Sequence, residues 1–299
     1  MRVVIAGAGS YIGNSIQSYI QSVRPDAEVI QLDVADDAWR GFDFTGYDAV
    51  VHVAAIVHRK DPVDWETYRR VNAELTAEIA ERAKSRGVGQ FVFLSSMAVY
   101  GVEKSLSKTK GIVTCKTELK PTSLYGKSKY LAEQKLSEME TESFKVAIVR
   151  PPNVYGPGCR GGYVSTYAAI VSKLPAIPKA FPSVKQSVLY IDNLSRFVYL
   201  LITRQARGVY TPQDPECPSA VEIMQYIRDA LQLNKKTSMF LGLFMYPAAF
   251  LPLVRKGYGG VSYDMNESHH MDFDYGIVSC KEGIRRTVLH GVKRNHTDL

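Results

Sequence analysis

Seven residues near the start of the chain, Gly7-Ala8-Gly9-Ser10-Tyr11-Ile12-Gly13, constrain the fold more than any other stretch. They stand between a short apolar run at residues 2–6 and a segment in which Ile12, Ile16, Ile20 and Val23 recur at helical spacing. A strand that passes through a glycine turn into a helix offers unpaired N–H groups and the positive end of the helix dipole at the turn. Gly7 suits the tight turn. Gly9 and Ser10 lie where backbone approaches a pyrophosphate, and Gly13 lets helix and strand pack closely. The placement predicts a dinucleotide-binding strand–turn–helix unit.

The N-terminal half repeats that alternation. Residues 29–32, 49–54, 91–94 and 146–149 read as strands, with 66–86 and 125–140 as helices and Gly87 as a stop signal. The run at 49–54 is continuous and rich in valine, as expected for a strand buried on both faces. Strands alternating with helices predict an α/β fold, a doubly wound parallel sheet of the Rossmann type with a smaller C-terminal α/β substrate-binding domain. The reading divides the chain at 1–157, the dinucleotide-binding domain with a return segment near 187–205, and 158–299, mainly substrate-binding. Residues 188–191 read as a strand returning to the main sheet. Ser219 and Glu222 form a capping box before a helix running to about Leu233.

Composition narrows the function. Cys115, Cys159, Cys217 and Cys280 are scattered singly, so neither a metal site nor a disulfide framework is expected. Free thiols, and an N-terminal apolar run too short for a signal peptide, predict a cytoplasmic protein. The net charge of +7 is spread along the chain, without basic runs interleaved with aromatics. Such a charge can attract nucleic acid and can equally suit a diphosphate-bearing small substrate; with no RNA-binding signature in the chain, the substrate is expected and a nucleic acid is not. The longest apolar stretch, residues 239–254, is broken by Pro247 and Pro252 and falls short of a bilayer span. It reads as a core or subunit-contact segment. Arg255 and Lys256 just after it leave a shallow membrane-surface contact as the alternative, without stable insertion.

The chemistry concentrates at predicted strand ends. Asp33 follows the second strand, 20 residues after Gly13, where a carboxylate can bind adenosine ribose hydroxyls and would repel a 2′-phosphate, which favours NAD over NADP. The third strand ends in His52-Val53-Ala54-Ala55, whose small residues leave room for a dinucleotide; His52 reads as a packed residue. Ser96 ends the fourth strand. Tyr125 and Lys129 are four apart and share one helix face. A nearby ammonium lowers a phenol's pKa, so Tyr125 can exchange a proton with a substrate hydroxyl while hydride moves to or from a nicotinamide. Lys129 can also hold the nicotinamide ribose, and Ser96 can hydrogen-bond the reacting oxygen. Tyr100 and Lys104 share the spacing, but Gly101 and a polar stretch follow Tyr100 where a helix would be needed.

GAGSYIG, HVAA, SSMAVYG, YGKSK and RPPNVYGPG stand in the order seen in the extended short-chain dehydrogenase/reductases, and YIDNL at 190–194 extends the match. The chain resembles the nucleotide-sugar epimerases and reductases of that family, strongly to about Gly158 and weakly beyond about Leu233. The resemblance implies a catalytic Ser96, Tyr125 and Lys129. It implies cofactor contacts from Gly7, Ser10, Tyr11, Ile12 and Gly13, from Asp33 and Val34, from Val53, Ala54, Ala55 and Asn72, and from Pro152 near the nicotinamide. Ser96, Tyr125 and Asn153 would meet the substrate. The C-terminal region would hold its nucleotide diphosphate, and the assembly would be a homodimer through the Tyr125 helix. The sequence departs from the family pattern at Ser10, in place of a glycine, and at Gln186, in place of a diphosphate-binding arginine for which Arg160, Lys185 or Arg255 could substitute. The spacing from Asp33 to His52 leaves out one strand found in longer members.

Ser96 is followed by Met97 and Ala98, neither of which transfers protons, so a dehydration that needs a further acid and base is disfavoured. The reading is a UDP-hexose 4-epimerase of the glucose or N-acetylglucosamine type, working through a transient 4-keto sugar. The alternative is an NAD(P)H-dependent 4-keto-sugar reductase. A non-catalytic or RNA-binding member would ordinarily lack the tyrosine–lysine pair that this chain keeps.

Overall fold

The computed structural model describes residues 1–57, 63–159, 162–268 and 273–297. Eight strands organise it: β1 (Arg2–Ala6), β2 (Glu28–Leu32), β3 (Ala49–His52), β4 (Gln90–Leu94), β5 (Lys145–Val149), β6 (Asn153–Tyr155), β7 (Val188–Tyr190) and β8 (Gly208–Tyr210). Among the described residues, six of them form one sheet in the order β8-β5-β4-β3-β1-β2, every pair parallel. β2 is its edge. Between Asp33 and β3 the chain makes only a 3-10 turn, Asp37–Gly41, in agreement with the missing strand.

Successive side chains of a strand point to opposite faces, and both faces here are apolar. Val3 and Ile5 of β1 pack with Ile16 and Ile20 of α1 (Tyr11–Val23), whereas Val4 and Ala6 face the opposite cluster. α2 (Trp65–Arg69) and α3 (Leu75–Ser85) flank a π-helical turn at Arg70–Glu74. α3 and α4 (Leu124–Met139) cover the second face through Ile79, Ala83, Ala132 and Leu136. α5 (Tyr163–Lys173) follows, and α6 (Ile191–Thr203) then joins α1 on the first face, burying Leu194, Phe197, Val198 and Leu201. Each such side chain contributes on the order of 1.5–3 kcal/mol by leaving water.

One expectation is corrected. Residues 188–191 do not return to the main sheet: β7 pairs with β6 in a separate ribbon, and β8 is the strand that joins β5. β8 is short and largely exposed, so it lacks the buried run that marks β1, β3, β4 and β5. The capping box at Ser219 and Glu222 opens α7 (Ala220–Ala230), which stops before Leu233. The stretch at 239–254 is not core. It forms α8 (Met239–Leu243), a 3-10 turn at Pro247–Phe250 and the start of α9 (Pro252–Tyr258), with most of its large apolar side chains exposed. α10 (Cys280–Thr297) packs on α7 and α5.

Candidate active site

In a parallel sheet all strands end on one edge, so Gly7, Asp33, Val53, Ser96 and Pro151 come together after β1 to β5. The turn after β1 is held by Gly7 N–H and Ala8 N–H, both donating to Leu32 O. Gly7 has φ +123°, and a β-carbon on it would lie 2.8 Å from Ala54 N and 2.9 Å from Val53 Cγ2. The close approach of β3 thus excludes any other residue. Ser10 caps α1 by accepting from Gly13 N–H at 3.1 Å, which leaves its own proton free to donate.

These residues fit a dinucleotide. A β-carbon on Gly9 would meet nothing within 4 Å, so the turn is open on that side. Its N–H has captured the Gln31 side-chain oxygen at 2.8 Å, the kind of acceptor a phosphate oxygen would replace. Tyr11 Oη is buried without a partner. Asp33 is exposed just past β2, with Oδ1 accepting from Ala35 N–H at 2.9 Å, while Val34 is buried. Ile12, Val53, Ala54 and Ala55 are partly buried around the same turn.

The reacting groups sit on α4. Ser123 caps this helix by accepting from Gly126 N–H at 3.0 Å. A β-carbon on Gly126 would lie 2.6 Å from Ala98 O, so the helix rests directly on the loop after β4. That contact carries the Tyr125 phenol to the side of the Ser96 hydroxyl. Ser96 Oγ also accepts from Ala98 N–H at 3.1 Å, fixing its rotamer. Lys129 is buried one turn along; its Nζ donates to Leu94 O at 2.7 Å and lies 4.5 Å from the centre of the Phe93 ring.

The electrostatics differ from the sequence expectation. Burial pushes the Tyr125 phenol up to about 12, opposed by the neighbouring Ser96 hydroxyl. Burial pushes the Lys129 amine down to about 7, opposed by Glu133. The ammonium that should lower the phenol is turned toward Leu94. His52 is a packed residue: burial, then Lys129, hold it down to about 3, between the Phe91 and Phe93 rings.

Asn72, expected along the cofactor, anchors the loop after β3. It is wholly buried, exchanges hydrogen bonds with Ile56 N–H (2.7 Å) and Ile56 O (2.9 Å), and donates to Ser128 Oγ at 3.0 Å. It ties the loop after β3 to the Tyr125 helix from within the π-helical turn, a distortion frequent at functional sites. Two groups without an expected role complete the floor. Arg150 makes a buried fork with Glu133, at 3.0 and 2.6 Å, and donates to Tyr100 Oη at 2.9 Å; Ser95 donates to the same carboxylate. Glu133 stands four residues after Lys129, so its helix face was readable, though not its partner. The Arg150 bond and the 3-10 turn at Met97–Tyr100 also remove Tyr100 from any pairing with Lys104, which bonds Tyr163 Oη instead.

Pro152 is buried beside this floor, and Asn153 is exposed at the start of β6. Gln186 is buried; its amide donates to Tyr167 Oη and Gly259 O, both at 3.3 Å, and its Oε1 has no partner. Lys185 is engaged by Glu222 at 2.8 Å, Arg255 is exposed, and Arg160 lies outside the described residues.

Residues 3–209 match the family model described as the NAD dependent epimerase/dehydratase family. The chain is 34% identical over 201 residues to UDP-glucose 4-epimerase of Vibrio cholerae, an alignment covering 63% of this chain and 58% of that enzyme. It is 27% identical over 244 residues to N-acetyl-α-D-glucosaminyl-diphospho-ditrans,octacis-undecaprenol 4-epimerase of Escherichia coli O157:H7, covering 80% of this chain and 68% of that one. In structure it is similar to UDP-glucuronic acid 4-epimerase from Bacillus cereus in complex with NAD, with a TM-score of 0.73 at 18% identity over 98% of this chain and 99% of that one. The fold, the glycine turn at β1 and the extent of the family match agree: the chain belongs to the NAD-dependent epimerase/dehydratase family.

Proposed function

We propose that the protein is a 4-epimerase of a hexose carried on a diphosphate, of the glucose or N-acetylglucosamine type, working through a transient 4-keto sugar. The observation that carries this reading is the placement of the Tyr125 phenol beside the Ser96 hydroxyl, one helical turn from Lys129 and at the sheet edge that holds the glycine turn. Ser96 Oγ positions the sugar C4 oxygen, and Tyr125 Oη takes that hydroxyl's proton and gives it back. Lys129 is the cation available to hold the phenolate once it turns from Leu94 O. NAD supplies the hydride acceptor at C4 and returns the hydride. The residues after Ser96 are Met97 and Ala98, so this side of the site offers no further proton-transfer group for dehydration. Identity to the V. cholerae and E. coli 4-epimerases supports the same reaction.

The test is to denature the purified protein, assay the released cofactor, and incubate the native protein with UDP-glucose and UDP-N-acetylglucosamine without added NAD(H). Bound NAD and interconversion at C4 are expected. Tyr125→Phe should retain the cofactor and lose roughly 10²- to 10⁴-fold in turnover. A protein that arrives empty and turns over only with added NADH or NADPH would instead be a 4-keto-sugar reductase.

A further inference from the structure

The segment between Asp229 and Asp264 contains no acidic residue and carries Lys235, Lys236, Arg255 and Lys256. Within it, Met239, Phe240, Leu243, Phe244, Phe250 and Leu253 all point outward, with Leu253 80%, Phe250 76% and Met239 74% exposed. Six large apolar side chains stand exposed within fifteen residues, Phe240 and Phe244 with their ring centres 5.0 Å apart, a density of apolar surface that soluble monomers rarely leave bare. The patch is not a frayed end. Its underside is fixed by Gly242 against the Lys179 backbone, by Phe181 N–H donating to Tyr246 Oη at 3.3 Å, and by Tyr258 Oη donating to Pro178 O at 3.2 Å. Val254 and Tyr258 are buried beneath it.

We propose that this face seats the protein on an anionic lipid bilayer. Phe240, Leu243, Phe250 and Leu253 enter the interfacial region, and the surrounding cations meet the lipid phosphates. Phe250 and Arg255 line one shallow groove with Lys110, the exposed Glu103 and the partly buried Lys104, whose amine is held by Tyr163, and the exposed Lys179 and Lys236 flank α8. An apolar face rimmed mainly by basic residues, with Glu103 the one carboxylate lining the groove and none along the segment itself, is complementary to an anionic membrane surface. A second copy of the chain fits less well, because a two-fold contact would set the same basic rim against itself. No helix among the described residues is long and apolar enough to cross a membrane, so the contact is peripheral.

The seat bears on the substrate. The same segment runs from Leu253 into Gly257 and Gly259, whose carbonyls accept from Tyr167 Oη and from the Gln186 amide, behind the position where the sequence departs from a diphosphate-binding arginine. A bilayer under α8 and α9 therefore lies beside the substrate-binding half. Resting on the epimerase reading, this favours a sugar diphosphate whose other end is a polyprenyl chain left in the membrane. A nucleotide would present the same diphosphate, so the source is decided by experiment.

Sedimentation with vesicles of phosphatidylcholine, with and without phosphatidylglycerol, tests the seat without using turnover. The wild type should pellet with the anionic vesicles. Phe240→Asp/Phe250→Asp/Leu253→Asp should stay in the supernatant. Arg255→Glu/Lys256→Glu should lose at least about fivefold in affinity for each charge removed. Wild-type protein that ignores both vesicle types would overturn the proposal. So would a wild-type dimer that the triple variant converts to monomer, since a second copy would then cover the patch. In a second arm, the triple variant should keep wild-type turnover of soluble UDP-N-acetylglucosamine and lose at least about tenfold on polyprenyl-diphosphate N-acetylglucosamine in vesicles. Equal loss on both substrates, or none on either, would sever the seat from the substrate. Vesicle binding by a protein inert on both would sink the epimerase reading and leave the seat standing.

Discussion

Lys129 shows how a reacting group opposes stability. Its amine is fully buried, with one backbone carbonyl and one aromatic face for company, and is held at about 7 against an ordinary 10.5. Below pH 7 both folded and unfolded chains carry the proton, and the fold bears the whole cost of a buried charge. Between about 7 and 10.5 the unfolded chain binds more protons, so stability of the cofactor-free protein rises with pH across that window. Lys129→Met should remove this dependence and stabilise the protein at pH 6 by roughly 2–4 kcal/mol, less the lost bond to Leu94, while turnover falls by about 10²-fold or more. Thermal unfolding at several pH values checks it; a lower Tm for the variant at pH 6 would make Lys129 a structural residue. The sequence shows which residues meet here, because the Tyr125–Lys129 spacing and the strand-end position of Ser96 are local facts. It does not show that the phenol moves up and not down. That direction depends on how closely α4 seats on Ala98 and on which way the lysine turns, and both are tertiary.

At the scale of elements, the turn between β1 and α1 has the least tolerance. Gly7→Ala places a methyl 2.8 Å from Ala54 N at a backbone angle that side chains rarely adopt. The turn must shift or β3 must retreat, at a cost of about 1–3 kcal/mol. The expected result is a lower Tm together with at least about a tenfold loss of NAD affinity, measured by calorimetric titration. Retained affinity would mean that the turn does not shape the phosphate cradle. This unit was legible in the sequence because strand, turn and helix are contiguous. The helical run at 65–85 was legible as a helix, but not its π turn. That distortion accompanies Asn72 reaching both Ile56 and Ser128, partners 16 and 56 residues away. The choice between 188–190 and 208–210 for the last strand was likewise hidden: the more apolar run pairs outside the sheet, and the exposed one pairs within it.

The whole molecule is closed by Asp214, which no sequence pattern singled out. It is buried, accepts from Tyr190 N–H and Asn193 Nδ2 at 2.8 Å each, and accepts from Tyr155 Oη at 2.7 Å. The same partners hold the start of α10: Asn193 exchanges hydrogen bonds with Val278 at 2.9 and 3.0 Å, and Tyr155 Oη reaches Cys280 O at 3.3 Å. The hub thus joins the β6–β7 ribbon and α6 to the C-terminal helix, which packs on α5 and α7 of the substrate-side half. Burial raises the Asp214 carboxyl to about 7 from 3.8, against the pull of its three donors. The folded state therefore keeps a proton that the unfolded chain gives up, and its stabilisation, complete below about pH 4, is lost as pH rises through about 7. Asp214→Asn keeps an acceptor for Tyr190 and Asn193 but cannot titrate. Its stability relative to wild type should improve steadily from pH 4 to pH 7, by roughly 2–4 kcal/mol in total. Asp214→Ala leaves buried donors unpaired and should cost about 3 kcal/mol or more at every pH. Hydrogen exchange separates a local hub from a general packing residue: in Asp214→Ala, protection should fall first in residues 280–291 and in β7, while β1 and β4 hold theirs. Uniform loss across the sheet would mean that Asp214 supports the core as a whole and that the C-terminal helix is held by its apolar face alone.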